Sequence, residues 1–258
     1  MITGTSGGIG KELLKRYSAL GVRIIALDKD CDPSLAGIHR TTIFHQMDIT
    51  DETAVEGLVK SLEADNLLPD TYIFNAAILE VDNDPFIDYA KLRRVLDVDM
   101  LSTLKFLSCL LPRLNKPATF VFVSSGVVIF PNPSNLGYFL GKLAMTRVFD
   151  VFAHRYASAG FRFKSVILGP INCGMLKESS NPGGFVSFLR DMTTGTPEAA
   201  ANKIIVFVKK SCRRRMYYRC VSALILWIAR FVQAILPSSM KAYRVKICHG
   251  DRTNESMQ

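Results

Sequence analysis

The chain of 258 residues is long enough for one large α/β domain, and its 48% apolar content suits a folded core. A conventional membrane span is not expected, and with Gly, Thr and Ser interrupting the first apolar residues no secretory leader is expected. The net charge of +9 is uneven: residues 209–258 hold 11 of the 32 Lys and Arg but 2 of the 23 acidic residues, so residues 1–208 balance to zero. That placement argues against nucleic-acid binding, where the basic face belongs to the main fold, and points to an anionic membrane surface.

Helical and extended patterns then alternate along the chain. The glycine-rich MITGTSGGIG leads into a helix over 10–20, closed by Gly21. A buried strand follows at 23–28, a weaker one at 42–47, and an amphipathic helix at 51–64 with Thr50 as its cap. Strands are expected at 71–75, 118–125 and 163–168, with long helices at 89–111 and 136–159, the first ended by Pro112 and the second by Gly160. Apolar strands alternating with helices mean a parallel sheet covered on both faces, a Rossmann-like doubly wound α/β fold in one domain over 1–208. The six cysteines form no CxxC pair and read as reduced thiols, and the four histidines show no metal-ligand spacing.

Three groups of residues carry chemistry. Gly4, Gly8 and Gly10, with Ser6 and Ile9 between them, sit between a strand and a helix; glycine lets backbone approach a pyrophosphate that the helix N-terminus attracts. Asp28 ends the second strand, where an acid accepts hydrogen bonds from adenosine ribose hydroxyls and repels a 2′-phosphate, favouring NAD(H) over NADP(H). Tyr138 and Lys142, four apart on a helix, share one face, and an ammonium lowers the pKa of a phenol toward a useful range. Ser125 ends the preceding strand, where its hydroxyl is placed to hold a substrate carbonyl.

Taken together these residues resemble the short-chain dehydrogenase/reductase family over about residues 1–175. TGTSGGIG is similar to the family's cofactor loop, Asp48 and Ile49 to its adenine-facing pair, and Asn75, Ala76 and Ala77 to its NAG motif beside the cofactor. Ser125, Tyr138 and Lys142 stand where the family has its catalytic trio, so the resemblance implies Tyr138 as general acid/base, Lys142 tuning it and binding the nicotinamide ribose, and Ser125 polarising the carbonyl. Gly169, Ile171 and Cys173 fall in the stretch that meets the nicotinamide, and VILGPINCGM looks most like the membrane-associated 11-beta-hydroxysteroid dehydrogenase branch. Three departures stand out. Asp99 replaces the asparagine that anchors a water leading to the lysine, Cys173 replaces a common threonine, and Gly141 replaces a common serine or alanine. They leave a catalytically silent dinucleotide-binding protein as the alternative to an active enzyme.

Outside the motifs, residues 209–246 combine a basic run with the apolar, Trp-bearing VSALILWIARFVQAILP, which suits a helix lying in a membrane surface or, alternatively, one packed on the domain or a partner. Residues 247–258 read as a polar, disordered tail. Residues 178–197, apolar on one side, read as a lid, implying a small apolar alcohol or ketone such as a steroid, retinoid or lipid. By resemblance the chain forms a homodimer or homotetramer and sits inside the cell, peripheral to a membrane such as the endoplasmic reticulum, or in the cytoplasm. Only Met1 to Thr3 precede the glycine loop. The expectation is a misplaced start or the edge of a fragment, with an upstream segment that also carried a targeting signal.

Overall fold

Seven parallel strands form one sheet in the order β3-β2-β1-β4-β5-β6-β7 in the computed structural model. It describes residues 1–30, 41–81, 86–131, 134–174, 194–220 and 228. In chain order the elements are β1 (Ile2–Thr3), α1 (Gly8–Ala19), β2 (Ile24–Asp28), β3 (Thr42–Gln46), α2 (Glu52–Ala64) and β4 (Thr71–Phe74). Then come α3 (Tyr89–Leu96), a π-helical turn (Asp97–Leu101), α4 (Ser102–Leu110), β5 (Thr119–Ser125), α5 (Leu136–Arg155), β6 (Arg162–Leu168), α6 (Pro197–Lys210) and β7 (Arg215–Tyr218).

Each face of the sheet carries its own core, which is why the central strands are apolar without alternation. On one face Tyr72, Phe74, Phe120, Phe122 and Phe163 pack against α2, α4 and α5 through Val59, Phe106 and Phe149. On the other, Ile73, Val121, Val123 and Val166 meet Leu13 and Leu14 of α1 and Ala201, Ile204 and Phe207 of α6. The strands over β2, β4, β5 and β6 fall within two residues of their expected positions.

Five details differ from the expectation. The cap of α2 is Asp51, whose carboxylate accepts the N–H groups of Thr53 and Ala54; Thr50 instead donates to Asp48. A π-helical turn interrupts the helix expected over 89–111. The helix expected over 136–159 ends at Arg155, and Gly160 follows at φ +74°. Helix α6 has a Thr196 cap and Pro197 in its first turn. The sheet runs past the boundary expected at residue 208, because β7 pairs with β6 from Ser165↔Arg215 to Leu168↔Tyr218.

Short as it is, β1 pairs on both sides, Ile2 standing opposite Ala26 and Ile73. The Met1 amine donates to the Thr71 carbonyl at 2.8 Å, and burial pushes its pKa down to about 5 against the weaker pull of Asp70. Among the described residues no helix is long and apolar enough to cross a membrane. Most of the expected lid (178–193), nearly all of the apolar tail segment (221–227 and 229–246) and the polar tail (247–258) lie outside the described residues.

Candidate active site

The strand order reverses between β1 and β4, so the loops leaving their carboxyl ends diverge to opposite faces and open a crevice, the usual ligand position in such sheets. Thr3 and Asn75 stitch the two edges together. The Thr3 hydroxyl accepts the N–H groups of Asn75 (3.0 Å) and Ala76 (3.1 Å), and the Asn75 amide donates to the carbonyls of Thr3 (3.2 Å) and Gly4 (3.0 Å). Sequence reasoning found Asn75 but passed over Thr3, whose TG dipeptide was the available signal.

The crevice is a cleft of about 750 Å³ lined by Gly4, Ser6, Gly8, Ile9, Asp28, Asp48, Ile49, Asn75, Ala76, Ala77 and Cys173, all named from the sequence. It adds Gly7 of the same glycine loop and residues that carried no motif, among them Asp30, Ile78, Arg94 and Asp97. Two glycines are needed for its shape. Gly4 has φ +70° and a Cβ there would meet the Ala76 backbone at 2.7 Å, while a Cβ on Gly8 would lie 2.9 Å from that of Cys173. Gly10 lies behind the loop, where a Cβ would strike the Gly4 carbonyl oxygen at 1.9 Å.

Helix α1 begins at Gly8, after Gly7 at the cap position with no side-chain cap, leaving its first-turn N–H groups toward the cleft. Asp28 stands at the rim, its carboxylate accepting the Ser6 N–H at 2.7 Å and the Asp30 N–H at 3.1 Å. Nearby, Asp48 accepts the backbone N–H (2.9 Å) and the hydroxyl of Thr50, which together hold its carboxyl below the ordinary range.

A second cluster stands beside the cleft. Ser125 ends β5, and Tyr138 and Lys142 lie one turn apart on α5. The Ser125 side chain lies close enough to the Tyr138 phenol to pull its pKa down, and its hydroxyl accepts the Val127 N–H at 3.4 Å. The Lys142 ammonium donates to the Val123 carbonyl at 3.1 Å and lies 5.5 Å from the centre of the Tyr138 ring and 4.9 Å from that of Phe122. Asp99, in the π-helical turn, accepts the Ile78 N–H on Oδ1 at 2.9 Å, and its Oδ2 lies 3.6 Å from Lys142 Nζ. Both side chains of this ion pair are almost wholly buried, at 2% and 0% exposure.

Burial sets the protonation behaviour of the cluster. Desolvation raises the Asp99 carboxyl from 3.8 to about 6 despite Lys142 and the Ile78 N–H, and lowers Lys142 despite Asp99. Tyr138 is pushed well above the ordinary phenol range, first by desolvation, then by Asp99, against the opposing pull of Ser125. The remaining two sequence-named residues stand apart from the cleft lining. Ile171 is buried and bridges to Gly195, and Gly169 lets β6 approach the Arg219 backbone, where a Cβ would meet its carbonyl oxygen at 2.3 Å.

Comparison with known proteins agrees with this geometry. A family model described as short chain dehydrogenase matches residues 1–183. The chain belongs to the short chain dehydrogenase family. An oxidoreductase named UcpA from Salmonella typhimurium is 26% identical over 212 residues, covering 76% of this chain and 79% of the relative. A Saccharomyces cerevisiae oxidoreductase is 25% identical over 162 residues, covering 62% of this chain; the match spans about half (49%) of that relative's length. Among solved structures, a 4-hydroxyisoleucine dehydrogenase complexed with NADH superposes with a TM-score of 0.72 at 19% identity, covering 84% of this chain and 94% of that one.

The cleft of this short chain dehydrogenase fits a dinucleotide on its own evidence. The uncapped N-terminus of α1 suits a pyrophosphate, the left-handed Gly4 and the blocked Cβ of Gly8 leave room for backbone contact, and Asp28 offers acceptor oxygens at the rim.

Proposed function

We propose that this short chain dehydrogenase is a nicotinamide-dependent oxidoreductase that interconverts an apolar alcohol and its ketone, steroid-, retinoid- or lipid-like. The observation that carries the reading is the convergence of Ser125, Tyr138 and Lys142 beside the dinucleotide-sized cleft. The bound nicotinamide supplies or accepts a hydride. The chain's own groups do the rest. Ser125 holds the carbonyl oxygen, Tyr138 gives it a proton in reduction or takes one from the alcohol in oxidation, and Lys142 holds charge beside the phenol. Ile78 lines the cleft and the apolar Val127–Phe130 follow Ser125 directly in the chain, which supports an apolar substrate.

Asp28, Asp30 and Asp48 all line the cleft, so a 2′-phosphate there meets several carboxylates; this favours NAD(H), with NADP(H) as the weaker alternative. A ketone panel with NADH tests both points. Tyr138→Phe is expected to abolish turnover while NADH still quenches or shifts in fluorescence on binding, and Asp28→Ala to erode the NADH preference about tenfold or more, the scale of a lost charge-assisted contact. Turnover that survives Tyr138→Phe overturns the catalytic reading and leaves a dinucleotide-binding protein.

The 11-beta-hydroxysteroid dehydrogenase-like branch, with a place inside the cell at a membrane surface, belongs to the same proposal. Lys209, Lys210 and Arg213 are exposed where α6 gives way to β7, at the entrance to the basic segment 209–246. Sedimentation with anionic vesicles, compared with a chain ending at Cys220, which keeps β7 in the sheet, tests it: equal partitioning ends the membrane reading. Exposed Leu101, Leu140 and Val151 on the π-helical turn and α5 support a homodimer or homotetramer through that face.

A further inference from the structure

The geometry points to Asp99 as a positioning residue that neutralises Lys142 and thereby keeps Tyr138 as a protonated phenol at neutral pH, biasing the site toward carbonyl reduction. This rests on the reading of Tyr138 as the proton-transfer group. It goes beyond that reading by assigning a direction.

Three observations carry it. First, Asp99 and Lys142 form a buried ion pair with an Oδ2–Nζ separation of 3.6 Å, and the other carboxylate oxygen is fixed by the Ile78 N–H. The carboxylate therefore cannot swing to solvent and leave the ammonium alone. Second, the backbone is shaped for it. Asp99 is the central residue of a π-helical turn, an insertion in an otherwise α-helical segment that recurs at functional sites. Third, α5 makes room for it. A Cβ on Gly141 would come within 3.0 Å of Asp99 Cβ, so the glycine in front of Lys142 is what lets the carboxylate approach.

The electrostatic consequence follows from the charges around the phenol. A lone ammonium beside Tyr138 would favour the phenolate. A neutralised pair favours it far less, and burial and the Asp99 charge both act to retain the proton. Among the described residues other groups do not restore a positive field. Ser125 opposes the rise but carries no charge, and Cys173 from the loop after β6 acts in the same sense as Asp99. From α3, Arg94 is matched by Glu80 in a two-bond pair, and Asp97 turns to Arg93. A phenol that holds its proton is a donor. In reduction it passes that proton to the carbonyl oxygen as the hydride reaches the carbon, so both are accounted for, and the phenolate recovers a proton from solvent. Oxidation needs the phenolate first, so it is held back until the pH is high.

The test reads Tyr138 directly. The full chain is labelled with [13Cζ]tyrosine, the signal is assigned by its loss in Tyr138→Phe, and the pH is raised. In the unaltered chain the Tyr138 signal should remain that of the phenol past pH 9, and Asp99→Asn should lower its midpoint by at least one unit, a tenfold change in proton affinity. Removing an elementary charge from the same buried cluster at an effective dielectric near 20 is worth on the order of one unit or more, so the shift is measurable. Alcohol oxidation with NAD should show the same displacement of its acid limb, and Asp99→Glu should return it toward the original. A Tyr138 midpoint unmoved by Asp99→Asn overturns the inference. So does ionisation of Tyr138 below pH 9 in the unaltered chain, a reading that needs no variant to fold. A displaced midpoint without hydride transfer across the ketone panel would instead remove the proposed function and leave this electrostatic assignment standing.

Discussion

At the scale of single residues, burial rather than sequence distance decides what the site can do. Desolvation pushes the Asp99 carboxyl up to about 6 in the folded chain, from an ordinary 3.8. A carboxyl whose folded pKa is raised binds its proton more tightly when folded. Its contribution to stability is therefore full below about pH 3.8 and is lost as pH rises through 6. Two units correspond to about 3 kcal/mol, an upper figure because Lys142 is coupled to the same proton. Other carboxylates, such as Asp48 and Asp88, are lowered by hydrogen bonds and slope the opposite way, so only a difference between variants isolates Asp99. Denaturant unfolding at pH 4 and pH 7 should show the unaltered chain losing ground to Asp99→Asn by up to about 3 kcal/mol over that interval. An unchanged difference would mean that Asp99 is not the buried titrating group described.

At the scale of elements, most strands and helices were legible because apolar runs, caps and glycine stops are local signals. Tyr72, Phe120 and Val166 read as buried strand from their neighbours alone and are fully buried. The π-helical turn was not legible. An apolar face over 89–111 looks much the same with one widened turn, and Asp99 reads as an ordinary departure until its depth is seen. Strand β7 was hidden by its own brevity and by flanking arginines. Arg215, which reads as solvated charge, is held by Asp150, and Arg214 lies against His154. The capture of Lys164 was equally invisible: buried in β6, it donates to the carbonyls of Phe207, Val208 and Ser211 and so caps the end of α6.

Glycines on helices sort by the same test of surroundings. Gly57, exposed in the middle of α2, has nothing within 4 Å of where a Cβ would stand, so Gly57→Ala should stabilise by about 0.5–1 kcal/mol through reduced backbone entropy. Gly141 faces Asp99 Cβ at 3.0 Å, and Gly137 faces Val95 Cβ at 3.1 Å, which is how α5 packs close to α3 and the π-helical turn. Gly141→Ala should therefore show none of that gain, and Gly141→Val should cost about 1–3 kcal/mol as an overpacked contact. Thermal or denaturant midpoints of the three variants decide it; equal gains at both positions would show that α5 and the turn are looser than described.

At the scale of the whole molecule, the cleft lies where both halves of the sheet are joined. Thr3 and Asn75 tie β1 to the loop after β4, and α1 reaches from the glycine loop after β1 to α6 across the second core. A ligand seated there contacts both halves and is linked to global unfolding, not to one loop. Ligand binding to the folded state alone adds RT ln(1 + [L]/Kd), about 2.7 kcal/mol at one hundred times Kd, which for a domain of this size is a rise of several degrees in Tm. NADH is expected to produce that rise, and NADPH at the same concentration a smaller one because of the carboxylates at the rim. Gly8→Val fills the space against Cys173 and the approach to the α1 N-terminus, so it should remove the NADH-dependent rise while the ligand-free chain still melts cooperatively. The comparison separates cleft binding from nonspecific effects of nucleotide. An identical NADH shift in Gly8→Val would place the dinucleotide elsewhere and take the cleft out of the mechanism.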